Sequence, residues 1–262
     1  MNKVYVVTGA SSGIGLSIAQ EIINNGNIVY SLSRSAPNDK NIKFEQCDVQ
    51  NRKMIESALL AVYQKEGRID CVINNAGIGI SGSAECEPED DIKKIVDINF
   101  TGAMNVACCS LPYLRESKGM LINIGSIAGV FAIPFQSFYS ATKAGLQNFS
   151  NALRNEMRPL GVKVCCVLPC DTKTDFTKSR IKVSNENDVY AERVNRSVMK
   201  MEKDEQNGMS PSKVAKTVYK LSNKKNPPAT KTMGGVYKLL MFVKRIVPER
   251  FINFVLYKMY GE

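Results

Sequence analysis

The stretch "VYVVTGASSGIGLSIAQEI", residues 4–22, decides the fold: a valine-rich run, a glycine-spaced turn and the first turns of a helix follow one another without interruption. The apolar run "VYVV" predicts a strand buried on both faces. Gly9 lets the chain turn tightly, Gly13 lets backbone come close to a pyrophosphate, and Gly15 lets the helix pack against the strand. The helix N-terminus adds free N–H groups and a partial positive charge, which suit a phosphate.

Short apolar runs recur between helical stretches: "IVYSL" at 28–32, "IKFEQCDV" at 42–49, "IDCVINN" at 69–75, "MLINIGS" at 120–126 and "KVCCVLP" at 163–169. This alternation predicts right-handed βαβ crossovers on a parallel sheet covered on both faces, a doubly wound α/β (Rossmann) architecture spanning 1–262 as one domain. The pattern breaks at 171–209 into a polar segment of moderate helical content without a buried strand. It leaves from the C-terminal end of a strand, where such sheets bind ligands, and is read as a substrate lid. "MSPSKVAKTVYKL" at 209–221 restarts a helix with Ser210 as N-cap and Pro211 in its first turn, and "ATKTMG" at 229–234 reads as a seventh strand.

The chain contains no histidine, which excludes a Ser-His-Asp triad, a Cys-His pair, an HExxH zinc helix and any histidine-ligated metal. Its eight cysteines form no C-x-x-C pair and read as small apolar residues in a reducing compartment, so no metal site is expected. The N-terminus runs straight into a strand, with no secretory signal, and no apolar run reaches the roughly 20 residues that span a bilayer. A cytoplasmic protein is expected, free or peripheral on the cytoplasmic face of a membrane. Residues 1–162 carry 15 basic and 15 acidic side chains, whereas 163–262 carry 20 and 10, so the whole net charge of +10 lies in the last hundred residues.

In "YSATK", residues 139–143, Tyr139 and Lys143 stand at i and i+4 and share a helix face. For tyrosine to work as an acid or base near neutrality its pKa must fall by roughly three, about 4 kcal/mol. A lysine ammonium about 4 Å away supplies about 4 kcal/mol at an effective dielectric of 20, so one neighbouring lysine is of the right size. Alone, such a pair is ordinary helix surface.

It does not stand alone. The Gly9-x-x-x-Gly13-x-Gly15 spacing, "CDV" at 47–49, "NNAG" at 74–77, Asn99 in "INFTGAMN", "IGS" ending at Ser126 and "YSATK" follow in order over residues 1 to about 176. This series resembles the short-chain dehydrogenase/reductase family. The resemblance implies an oxidoreductase with Asn99, Ser126, Tyr139 and Lys143 as catalytic residues. Tyr139 would transfer the proton, Ser126 would hold the substrate oxygen, Lys143 would lower the tyrosine pKa and orient the ribose, and Asn99 would hold the active-site helix and a relay water. It also implies a dinucleotide bound by Gly9, Ser11, Ser12, Gly13, Ile14, Gly15, Ser33, Arg34, Asp48, Val49, Asn75, Ala76, Gly77, Pro169, Thr172 and Thr174, together with Tyr139 and Lys143. The chain departs from the family pattern at "LPCDTKTDF", where Cys170 replaces the usual glycine after Pro169.

An acid at the end of the second strand would accept from the ribose hydroxyls of NAD. The chain instead reads "SLSRS", with Ser33 and then Arg34, and arginine grips a phosphate in bidentate fashion. NADP(H) is therefore the expected cofactor.

After the seventh strand the chain continues as "VYKLLMFVKRIVPERFINFVLYKMYGE". Leu239, Phe242, Val243, Ile246 and Val247, then Ile252, Val255, Leu256 and Met259, make two apolar stripes hinged at Pro248 and flanked by Lys238, Lys244, Arg245, Arg250 and Lys258. Such a 236–262 extension fits a membrane surface through 236–260, a cover over an apolar substrate, or burial in a homo-oligomer, a dimer or tetramer. The lysines alternate with apolar residues and form no patch with stacking aromatics, so nucleic acid is not an expected partner. The layout resembles the hydroxysteroid, retinol and sphingoid-base branch of the family. The expected reaction is thus interconversion of a lipophilic ketone or aldehyde and its alcohol, with a soluble carbonyl such as a 3-oxoacyl thioester or sugar as the alternative substrate. A non-catalytic NADP(H)-binding redox sensor is the other reading, and the intact Asn99, Ser126, Tyr139 and Lys143 set argues against it.

Overall fold

The computed structural model describes residues 2–183, 187 and 189–262, so residues 184–186 and 188 of the expected 171–209 lid lie outside the described residues. The main sheet is formed by β1 (Val4–Thr8), β2 (Ile28–Ser33), β3 (Lys43–Gln46), β4 (Cys71–Asn74), β6 (Met120–Ile124), β7 (Lys163–Leu168) and β9 (Thr230–Thr232). All neighbours pair in parallel, in the order β3-β2-β1-β4-β6-β7-β9. The order reverses between β1 and β4, and the ends of these two strands open the crevice where doubly wound sheets hold ligands.

Alternation of side chains along each strand feeds two cores. On one face Val4 and Val6 of β1 pack with Ile55 and Leu59 of α2 (Arg52–Glu66), Val106 of α4 (Ala103–Ser117) and Leu153 of α5 (Ser137–Met157). On the other, Tyr5 and Val7 pack with Ile18 and Ile22 of α1 (Gly13–Asn24) and with Val214 and Val218 of α7 (Pro211–Ser222). All five residues of β1 are buried, as its β-branched run predicts. The strand expected over 42–49 is shorter and sits at the sheet edge, and none of Lys43–Gln46 is fully buried. An edge strand has a neighbour on one side only, and its "KFEQ" composition suits that position.

Helix ends carry information about the site. Asn51 caps α2 by accepting from the Met54 amide at 3.2 Å. Ser12, the N-cap of α1, makes no such side-chain bond, which leaves the first-turn amides of α1 free to meet a ligand. The segment after β7 forms a short strand, β8 (Ile181–Lys182), paired in parallel with β5 (Ile80–Ser81), and then α6 (Ala191–Gln206). The chain ends in α8 (Gly235–Val243), α9 (Glu249–Leu256) and a π-turn, Tyr257–Gly261, the expected pair of helices around Pro248. Among the described residues, no helix is long and apolar enough to cross a membrane. All eight cysteines are free thiols.

Candidate active site

A cleft of about 570 Å³ opens at the C-terminal ends of the central strands. Its wall gathers Gly9, Ser11, Ser12, Gly13 and Ile14 from the first turn, Ser33 and Arg34 from β2, Asp48 and Val49, and Asn75, Ala76 and Gly77 after β4. Ser126, Tyr139 and Lys143 line it from the other side, with Pro169, Thr172 and Thr174 after β7. Of the residues the sequence predicts, Gly15 and Asn99 alone are not in the wall; both stand directly behind it.

The glycine turn has the shape its spacing predicts. Gly9 and Gly13 adopt φ of +67° and +57°, the left-handed region that favours glycine. Gly15 answers to space instead: a Cβ there would lie 2.4 Å from the Gly9 carbonyl oxygen and 2.5 Å from Asn75 Nδ2. The motifs "TGASSGIG" and "NNAG" are physically joined. The Thr8 hydroxyl accepts from the Asn75 and Ala76 amides at 2.9 and 3.0 Å, and Asn75 Nδ2 donates to the Thr8 carbonyl at 3.0 Å. This cradle, with uncapped helix amides and no side chain on Gly13, fits a dinucleotide pyrophosphate.

At the end of β2, Ser33 is buried with its hydroxyl bonded to Ser31 at 2.8 Å and donating to the Ser35 carbonyl at 2.8 Å. Arg34 is exposed at the cleft rim with no ion-pair partner among the described residues. The arginine, not the serine hydroxyl, is the free group at this position.

Three of the four residues expected to be catalytic meet at the start of α5. Tyr139 and Lys143 lie in its first two turns, and Ser126 caps the 3-10 turn Ile127–Gly129 by accepting from the Ala128 amide at 3.1 Å. Lys143 is buried and donates from Nζ to the Ile124 carbonyl at 3.0 Å, 5.8 Å from the Tyr139 ring. Asn99 sits in a π-helical turn, Asp97–Gly102, that continues α3 (Glu89–Val96). Its side chain accepts from the Ile78 amide and donates to the Ile78 carbonyl, both at 2.8 Å, and so fixes the chain after "NNAG".

One electrostatic expectation is corrected. Burial pushes the Tyr139 phenol up to about 12, with a hydrogen bond from Ser126 pulling the other way, and burial brings Lys143 down to about 8. Desolvation of both partners opposes their Coulomb attraction and shifts each pKa against it. Tyr139 is therefore held as a protonated phenol.

Cys170, in the place where the family usually has glycine, is half-buried, and burial raises its thiol pKa, which disfavours the thiolate. The neighbouring turn is fixed by Thr172 Oγ1 donating to the Cys170 carbonyl at 2.7 Å.

The sequence alone does not point to the groups opposite α5. Phe176 and Arg180 from the polar segment, Met201 and Glu205 of α6, and Tyr260 from the chain's last turn all line the cleft. The Phe176 ring stands 6.0 Å from that of Tyr139. Tyr260 donates to Asp204 at 2.9 Å, and Arg193 donates to the Gly261 carbonyl at 2.8 Å, so the C-terminal turn is fastened to α6. The signal of the polar segment was only that it contained aromatics and arginines; which of its many charges turns inward is a tertiary outcome.

A family profile described as short chain dehydrogenase matches residues 3–184. A 3-ketodihydrosphingosine reductase of Bacteroides thetaiotaomicron is 36% identical over 259 residues, covering 97% of this chain and 96% of the relative. A probable short-chain type dehydrogenase/reductase, VdlC, of Helicobacter pylori is 33% identical, with 93% of each chain covered. A solved short-chain dehydrogenase from Streptomyces avermitilis superposes with a TM-score of 0.84 at 28% identity, over 94% of this chain and 93% of that one.

Proposed function

The chain belongs to the short-chain dehydrogenase/reductase family of oxidoreductases, and from that premise we propose that it is an NADP(H)-dependent reductase of lipophilic ketones, of the 3-keto long-chain base type. The observation that carries the substrate class is the likeness to the 3-ketodihydrosphingosine reductase, which extends over 97% of the chain and so takes in the cleft-lining segment after β7 and most of the C-terminal arm. A cleft with Phe176, Met201 and Tyr260 opposite Tyr139 supports an apolar substrate.

The first-turn amides around Ser11–Ile14 hold the pyrophosphate, and Arg34 holds a 2′-phosphate at the rim. When bound, the dinucleotide supplies the hydride. Ser126 donates a hydrogen bond to the carbonyl oxygen and raises its electrophilicity. Tyr139, protonated because it is buried, gives its proton to that oxygen as alkoxide character develops, which favours the reducing direction. Lys143, mostly charged at neutral pH even with a pKa of about 8, stabilises the phenolate left behind. Asn99 acts through Ile78 by keeping the "NNAG" loop in register with the cleft floor.

Phe176 and Arg180 after β7 and Met201 and Glu205 of α6 wall the substrate side of the cleft, and the arm is the surface that meets the lipid phase. Phe242 and Phe251 are each 59% exposed, with Leu239, Ile246 and Phe254 also outward, among Lys238, Arg245 and Arg250. An apolar stripe edged by basic residues suits the interface of an anionic bilayer. The test is NADPH and NADH oxidation against a 3-keto long-chain base, a steroid ketone, a 3-oxoacyl thioester and an aldose. The reading expects the long-chain base with NADPH to have the highest kcat/KM; a higher value for the thioester or the aldose overturns it.

A further inference from the structure

Arg180 is a charge with too few partners. Its side chain is 1% exposed, and it pairs through Nη2 with Oε1 of Glu205 on α6. The other Glu205 oxygen accepts from the Thr177 hydroxyl at 2.5 Å. Arg180 Nε and Nη1 are both buried and have no hydrogen-bond partner among the described residues. An unmet buried donor costs about 1–3 kcal/mol, more on a charged group, so two on one guanidinium form an unusual arrangement. Both Arg180 and Glu205 line the active-site cleft, and both charges reach the Tyr139 phenol, Glu205 pushing its pKa up and Arg180 pulling it down.

The position limits what could satisfy those nitrogens. Arg180 follows the Phe176 ring, which faces Tyr139 at 6.0 Å, and a Cβ on Gly79 would lie 3.6 Å from Arg180 Nε. The donors therefore stand in the substrate half of the cleft, away from the glycine turn. Glu205 already offsets the positive charge, and Asp171 and Asp175 also line this side. A second full negative charge is disfavoured there, and a neutral oxygen acceptor is favoured.

We propose that Arg180 is the specificity residue for a hydroxyl group carried beside the reacting carbonyl, with Nε and Nη1 donating to the hydroxyl oxygen and the Arg180–Glu205 pair forming the polar end of an otherwise apolar site. The inference rests on the long-chain ketone reading and deepens it: the enzyme selects ketones that bear a hydroxylated head over plain ketones of equal length.

The test compares two long-chain ketones of equal length, one with a hydroxyl next to the carbonyl and one without, in wild type, Arg180→Met and Arg180→Lys. A hydrogen bond from a charged donor predicts that wild type prefers the hydroxy ketone by about tenfold to a hundredfold in kcat/KM. Arg180→Met brings that preference to within about threefold. Because Arg180→Met leaves Glu205 buried without its partner, Arg180→Lys retains the ion pair and removes the two donors; it too is expected to lose the preference at an unchanged melting temperature. An unchanged preference in either folded variant, or equal losses on both ketones, overturns the proposal. If wild type reduces neither ketone, the proposed function fails separately, and binding of a long-chain vicinal diol and of the matching mono-alcohol to the NADPH-loaded protein decides this inference. Tighter diol binding that Arg180→Lys removes supports it; equal binding, or none, refutes it.

Discussion

Gly15→Ala puts the glycine turn under a defined strain. The added Cβ would lie 2.4 Å from the Gly9 carbonyl oxygen, while ordinary contact begins at 3.4 Å, so the N-terminus of α1 must retreat by roughly 1.0 Å. The obstacles are the Gly9 backbone and the Asn75 amide, which is itself held by the Thr8 and Gly9 carbonyls at 3.0 and 3.3 Å. Neither can swing aside without breaking the bonds between the two motifs. Overpacking of this kind plus one weakened hydrogen bond costs about 2–4 kcal/mol, or about 5–15 °C in Tm for a chain of this size. Gly13→Ala is the counterpart. Its Cβ meets nothing closer than 3.8 Å, but φ of +57° remains, and the left-handed conformation costs about 1–2 kcal/mol. Melting followed by circular dichroism, with NADPH titrated by fluorescence on both variants, separates the two effects. Gly15→Ala is expected to lose more stability; Gly13→Ala is expected to lose less stability but at least about tenfold in NADPH affinity, because its Cβ occupies the face offered to phosphate. A Gly15→Ala protein that melts like wild type and binds NADPH equally well would refute the reasoning.

Arg34→Ala is expected to lower the ratio of NADPH to NADH affinity by about tenfold, the worth of one exposed charge-assisted contact, measured by paired titrations; an unchanged ratio contradicts the cofactor assignment. Lys143 has a folded pKa of about 8 against an ordinary 10.5, so between those values the unfolded chain holds more protons and stability rises with pH. Relative to Lys143→Met, the unfolding free energy of wild type should therefore gain about 3 kcal/mol from pH 8 to 10.5, read from urea titrations at each pH, and parallel curves would show that the lysine is not held in a desolvated site. Replacing Phe242, Phe251 and Phe254 together by serine is expected to abolish co-sedimentation with vesicles of phosphatidylserine and phosphatidylcholine without changing turnover of a water-soluble ketone. If the variant sediments like wild type, or if it changes only the oligomer size, the arm is not a membrane surface.

The central architecture was legible because its signals are local. Near-continuous apolar runs give parallel strands, and the glycine spacing gives a turn that the Thr8–Asn75 bonds then lock. The site residues around that turn and on α5 were legible for the same reason: each lies at a strand end or a helix start. The edge strand was misjudged because "IKFEQCDV" looks apolar at its ends while Lys43–Gln46 between them pairs on one side only. The Tyr139 titration was misjudged because spacing on a helix reports proximity and says nothing of burial, which raises the phenol and lowers the lysine beside it. Arg180 and Tyr260 could not be read at all, since they reach the cleft through the path of 171–209 and the fold-back of the C-terminal turn onto α6.

The claim on which the account turns is that Tyr139 is the acid of carbonyl reduction. The direct measurement is kcat/KM for NADPH-dependent ketone reduction by Tyr139→Phe beside wild type at pH 7, with cofactor binding titrated on both. Removing a general acid costs about 10²–10⁴-fold, so the variant should bind NADPH normally and lose at least about a hundredfold in rate. A Tyr139→Phe enzyme within about fivefold of wild type would contradict the account.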